Sequence, residues 1–190
     1  MQPNHNNGEA EGEEAISPIP PPPATKKLSA SDGPLVWIDC EMTGLNIEKG
    51  DRLLEVACII TDGDLNPVDE GVSYVISTPK EVLDASLLAY IRDRIPTPST
   101  ACLAGNTVHA DKAFLQKEMP ELINHLHYRI VDVSSLKELV RRWYGAESIM
   151  VWKRNGQPTN GNDHRALNDI KGSIDELRWY RQRVFLPNQK

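Results

Sequence analysis

Sulfur is scarce in this chain. Its three cysteines, Cys40, Cys58 and Cys102, are odd in number, far apart and set in apolar runs, which argues against a disulfide framework or a zinc site and for reduced core thiols. Positive charge is not in excess either. With 27 acidic against 21 basic residues and a net charge of −6, a long nucleic-acid duplex is an unsuitable partner, because such binding rests on neutralising many phosphates. No apolar run reaches the length of a membrane span, so no membrane partner is expected.

The first thirty or so residues lack arginine and have almost nothing to bury. They carry Glu9, Glu11, Glu13 and Glu14, then Pro18 and Pro20 to Pro23, and read as a disordered acidic, proline-rich tail over 1–33 with a short polyproline stretch. A mitochondrial transit peptide is arginine-rich and poor in acids. This N-terminus does not support one, and a reducing cytoplasmic location, with nuclear access by size, is the expectation. Residues 34–190 are long enough for one domain with a substantial core.

Within that domain the pattern alternates. Strands are expected at 35–41, 52–61 and 71–77, where turn material such as Asp62-Gly63-Asp64 and Asn66-Pro67 separates apolar β-branched runs. These three should form an antiparallel meander. A helix is expected near 84–94, a strand at 101–105, a helix over 111–125 and a strand at 128–133. Ser135-x-x-Glu138 has the spacing of a capping box for the next helix, whose Leu136, Leu139, Val140 and Trp143 recur at helical intervals. The last helix should bury Leu167, Ile170, Ile174 and Leu177. The sum is an α/β fold, a mixed sheet with helices on its faces.

The chemistry-bearing residues collect at the ends of these elements. Asp39 and Glu41 close the apolar run Leu35-Val36-Trp37-Ile38, and alternate residues of a strand point the same way. Asp111 opens a helical pattern, and His164 and Asp169 lie near the C-terminus. Four carboxylates and a histidine so placed form an oxygen-rich constellation suited to hard divalent cations. On a regular helix, five steps of about 100° leave His164 and Asp169 about 140° apart. His164 should therefore lie on the preceding loop or in the first helical turn, with 155–162 forming a glycine- and asparagine-rich loop before it.

Four strings carry a family resemblance: Trp37-Ile38-Asp39-Cys40-Glu41-Met42-Thr43-Gly44-Leu45, Ala104-Gly105-Asn106-Thr107-Val108-His109-Ala110-Asp111, His127-Tyr128-Arg129-Ile130-Val131-Asp132-Val133-Ser134 and His164-x-Ala166-x-x-Asp169. In order and spacing they resemble the oligoribonucleases, 3′→5′ exonucleases of the DEDDh group, from about Leu35 onward. The resemblance implies a ribonuclease H-like fold with a five-stranded mixed sheet, and hydrolysis of short single-stranded RNA, down to dinucleotides, by two Mg²⁺ or Mn²⁺ ions. It implies that Asp39 bridges both ions, that Glu41 and Asp169 hold the ion carrying the water, that Asp111 supports the second ion and that His164 is the general base. It further implies a homodimer, a leucine wedge at Leu45, and a phosphate cap drawing on Thr107, Tyr128, Arg129 and Ser134. Arginine suits such a cap because its planar fork binds phosphate oxygens in pairs.

One departure stands out. Family members carry, before the Ala-Gly-Asn strand, a helix-rich segment whose tryptophan and histidines stack on the 3′ nucleotide; here Ala85 runs directly into Ser86. Neither Trp37, Trp143, Trp152 nor Trp179 sits where that stacking residue belongs. Stacking contributes about 1–3 kcal/mol per base, so weakened activity is one expectation. A DNA 3′-exonuclease, or an impaired form acting as a binding module, are the alternatives.

Overall fold

The computed structural model describes residues 19–24, 26–75, 80–149 and 165–185. Five strands form one sheet in the order β3-β2-β1-β4-β5. β1 (Leu35–Met42), β2 (Leu53–Thr61) and β3 (Val72–Val75) are antiparallel neighbours, while β4 (Cys102–Gly105) pairs parallel with β1, and β5 (His127–Asp132) parallel with β4. The expected meander and mixed sheet are therefore present. Of the expected third strand, Ile76 and Ser77 lie outside the described residues.

The sheet is covered on both faces. Val36, Ile38 and Cys40 of β1, with Val56, Cys58 and Ile60 of β2, pack into one core cluster under α1 (Lys80–Arg94), α2 (His109–Glu118) and α3 (Pro120–His125). Trp37, Ala57 and Ile59 point the other way, into a second cluster under α4 (Val133–Tyr144) and α5 (Arg165–Arg183). Burial on both faces explains why β2 reads as a nearly continuous apolar run rather than an alternating one. Trp37, fully buried, donates its indole N–H to Thr61 Oγ1 at 3.0 Å, so it is a core residue and no base platform.

Three helix boundaries differ from the sequence expectation. α1 begins at Lys80, not 84, and runs unbroken through Ala85 and Ser86; Leu83, Leu87 and Ile91, each four apart, form its buried stripe with Tyr90. Among the described residues, α1 is the one helix between β3 and β4. The helix expected over 111–125 is two, because Pro120 disfavours helical geometry at the residue before it, and Met119 sits at φ −131°, ψ 56°. The Ser135-x-x-Glu138 capping box does not form. Asp132 caps α4 instead, accepting from Ser134 N–H at 3.0 Å and from Ser135 Oγ at 2.8 Å.

Contacts with the domain extend N-terminal to the expected boundary at 33. Leu28 is buried in the first cluster and its N–H donates to Arg94 O at 2.7 Å. Along residues 19–24, Ile19 N–H donates to Ser86 Oγ at 2.9 Å and Ala24 N–H to Asp93 Oδ2 at 3.1 Å, while Pro22 O accepts from Arg94 Nη2 at 2.8 Å. Arg94 is itself fully buried, paired with Asp69 at 2.6 Å and lying 3.8 Å over the Tyr90 ring. A buried guanidinium needs such partners. Residues 1–18 lie outside the described residues.

Candidate active site

The C-terminal end of β1 delivers Asp39 and Glu41 to the face covered by α5, and α5 brings Asp169 to meet them. One carboxylate oxygen from each of the three lies within 4.8 Å of the others, the spacing of ligands round a single cation. A register irregularity after Glu41 ends the regular β1–β2 pairing there, which opens the strand end without disturbing the Asp39–Glu41 alternation. Asp111, in the first turn of α2, is 6% exposed and accepts from the Cys40 backbone N–H at 2.9 Å. It stands outside the three-carboxylate cluster but close enough to influence Asp39.

Among the described residues, negative charge dominates this site. Burial first, then the charges of Asp111, Asp169, Glu41 and Glu55, push the Asp39 carboxyl up to about 7. Burial likewise raises Asp111 to about 6, against the opposing pull of the Cys40 N–H. A cation bound here would favour the ionised form of both carboxyls. The donor set is all oxygen, which fits a hard divalent ion.

The other residues anticipated from sequence divide into two groups. Thr107 and Ser134 are brought together, hydroxyl to hydroxyl at 3.0 Å, in a cleft also lined by His109, Asp132, Ser135 and Arg142. Tyr128 and Arg129 do not line that cleft; they are exposed on the edge strand β5, with the Arg129 guanidinium 5.2 Å from the Tyr128 ring. Leu45 is 77% exposed at a loop tip. His164 and Trp152, and the expected loop at 155–162, lie outside the described residues. Leu167 and Leu177 of the last helix are half-buried, whereas Ile170 and Ile174 are core.

Sequence reasoning passed over four residues that shape the site. Glu55 is directly opposite Glu41 on β2 and accepts from Ser73 Oγ at 2.6 Å. Asp51 holds the Leu45 loop, accepting from Asn46 N–H at 2.7 Å and Thr43 Oγ1 at 3.1 Å. A Cβ on Gly44 would come to 2.5 Å from that carboxylate, so a larger residue there must displace the Asp51 side chain. Asp132 accepts from Thr107 N–H at 2.9 Å, and Asn106 contacts Ser134. Only the position of Asp132 before a helical pattern signals a cap in the sequence.

Residues 36–90 and 77–177 match the family model described as Exonuclease, of ribonuclease T type. The chain is 42% identical over 181 residues to the mitochondrial oligoribonuclease of Bos taurus, covering 80% of this chain and 73% of that one. It is 43% identical over 182 residues to the oligoribonuclease of Streptomyces coelicolor, covering 80% and 88%. Exonuclease I from Methylocaldum szegediense shares the fold, with a TM-score of 0.54 at 21% identity, covering 80% of this chain and 41% of that one. The chain thus spans about two fifths of that exonuclease I chain. An alignment of 181 positions that takes in 80% of 190 residues, about 152, leaves roughly thirty positions of the bovine relative without a counterpart. The two family matches overlap at 77–90, a span that contains Ala85 and Ser86.

Proposed function

The chain belongs to the oligoribonuclease family of exonucleases, and from that premise we propose that it is a metal-dependent 3′→5′ exoribonuclease that hydrolyses very short oligoribonucleotides, down to dinucleotides, to 5′-mononucleotides. The observation that carries this reading is the convergence of Asp39, Glu41 and Asp169 at the end of β1. With Asp111 they would hold the divalent cations, Mg²⁺ or Mn²⁺. Bound there, such ions stabilise charge on the attacking and leaving oxygens and make water a better nucleophile.

The protein's own groups have separate tasks. The Cys40 N–H fixes the Asp111 carboxylate, so that the site is organised before substrate arrives. His164 takes the proton of the attacking water, since an imidazole titrates near neutrality. In a dinucleotide the scissile phosphate faces the carboxylates and the only other phosphate is the 5′-terminal one, which Thr107 and Ser134 receive. Leu45 reaches from its exposed loop to wedge between the bases.

The working unit is a homodimer in this reading. Tyr128 and Arg129 are exposed on an edge strand and do not line the cleft of their own subunit, and are suited to cap the 5′-phosphate in the neighbouring one. Leu139, Trp143 and Tyr144 of α4, 41%, 70% and 53% exposed, supply apolar area that such an interface would cover. The shorter crossover leaves the substrate without the family's stacking segment, and dinucleotide affinity is correspondingly weaker.

Side-by-side turnover of a ribo- and a deoxyribo-dinucleotide with Mg²⁺ or Mn²⁺ tests this function. Faster hydrolysis of the ribo-form is the expected result. Preference for the deoxy-form would move the assignment to a DNA 3′-exonuclease.

A further inference from the structure

Behind Thr107 and Ser134 lies a chain of hydrogen bonds whose direction is set by chemistry. Glu176 is 3% exposed and its carboxylate, which can only accept, receives Tyr180 O–H at 2.8 Å and the Lys137 ammonium at 3.0 Å. The Asn106 amide NH₂ faces the same buried side, 2.8 Å from Ser173 Oγ and 3.3 Å from Glu176 Oε2. Ser173 gives its own proton to the Asp169 carbonyl at 3.0 Å, so it too must accept from Asn106. The amide is thereby oriented, leaving Asn106 Oδ1 to accept Ser134 O–H at 3.0 Å. Ser134's proton points inward. Toward Thr107, at 3.0 Å, Ser134 is then the acceptor, and of the two hydroxyl protons it is Thr107's, not held by Asn106, that can turn from Ser134 to an incoming phosphate oxygen.

The Thr107 backbone is held at φ 57°, a left-handed conformation uncommon for a β-branched residue, with its N–H tied to Asp132 at 2.9 Å. A strained residue persists where its surroundings over-determine it. We infer that Asn106 is a positioning residue for the 5′-phosphate: anchored on α5 by Glu176 and Ser173, it turns the Ser134 hydroxyl inward and presents the Thr107 hydroxyl as the phosphate donor. Because Ser173 also grips the carbonyl of Asp169, the phosphate end of the substrate site and the carboxylate end share one helix. This inference rests on the assignment of Thr107 and Ser134 to the 5′-phosphate.

The test is the ratio of kcat/KM for a dinucleotide with a 5′-phosphate to that for its 5′-hydroxyl form, a quantity in which loss of folded enzyme cancels. Asn106→Ala should lower the ratio about tenfold through KM, as expected for one or two hydrogen bonds to a charged group. Ser134→Ala should lower it equally, and the double variant should fall no further. If Asn106→Ala is too unstable to assay, Ser173→Ala, which removes one of the two anchors, should lower the ratio about threefold. A Ser134→Ala loss with the ratio intact in Asn106→Ala and Ser173→Ala would overturn the inference and leave the phosphate assignment standing. An unchanged ratio in both Thr107→Val and Ser134→Ala would remove the phosphate assignment itself, and the inference with it.

Discussion

The Cys40 backbone N–H donates to Asp111 Oδ1 at 2.9 Å, so the strand that carries Asp39 and Glu41 also fixes the carboxylate carried by α2. Residues 71 apart in sequence are locked together between the two acids of β1. Burial is the main cause that raises both carboxyls, Asp39 to about 7 with added repulsion from its acidic neighbours and Asp111 to about 6 against the pull of the Cys40 N–H.

Those shifts set a pH dependence. Both carboxyls lie above their ordinary value of 3.8 in the folded protein, which therefore holds protons that the unfolded chain releases between about pH 4 and 7. Stability contributed by these groups is full at low pH and lost as pH rises through that window. In chelator, the Tm of Asp39→Asn should exceed that of the parent at pH 8 and approach it at pH 5, while its hydrolysis is abolished. A Tm difference that is constant across this range, measured by calorimetry, would contradict the electrostatic account.

His164 should separate chemistry from metal binding. His164→Ala is expected to bind Mn²⁺ as the parent does, by isothermal titration, and to lose about 10²–10⁴ in kcat. A loss of metal affinity equal to that of Asp169→Ala would make it a ligand instead.

Arg129, exposed on β5 and not lining the Thr107 cleft, predicts complementation between subunits. Arg129→Ala and Asp39→Ala chains are each defective alone, and their heterodimer should regain one working site. Heterodimers isolated by two different affinity tags and showing no gain in turnover would return Arg129 to its own subunit.

The N-terminal contacts predict a sharp boundary for truncation. Removing residues 1–18 should leave the Tm unchanged. Removing 1–28 takes away the buried Leu28 and the carbonyl that caps Arg94 Nη2, a loss of about 3 kcal/mol from apolar burial and hydrogen bonding, or about 6–12 °C for a chain of this size. Equal melting of the two truncated forms would show that the contacts along residues 19–28 contribute nothing.

What was legible in the sequence was what local pattern can carry. The alternation that places Asp39 beside Glu41, the apolar run of β2 and the helical spacing of α5 are all readable one element at a time. The split at Met119 was also open to reading from Pro120. Asp132 was obscured because Ser135 and Glu138 offered a competing cap, and the choice between them depends on where β5 ends. Residues 19–24 read as free chain because their partners, Ser86, Asp93 and Arg94, are some seventy residues away. Asn106 and Glu176, 70 positions apart, carry no mark of their connection until the sheet and α5 are assembled.

The most direct measurement is turnover of a labelled diribonucleotide by the purified chain with Mg²⁺ or Mn²⁺, beside chelator and Asp39→Ala controls. Release of 5′-mononucleotides that requires the cation and disappears in Asp39→Ala is the predicted result. Hydrolysis that persists in Asp39→Ala, or none at all from the folded, metal-loaded parent, would contradict the assignment of this carboxylate cluster to the reaction.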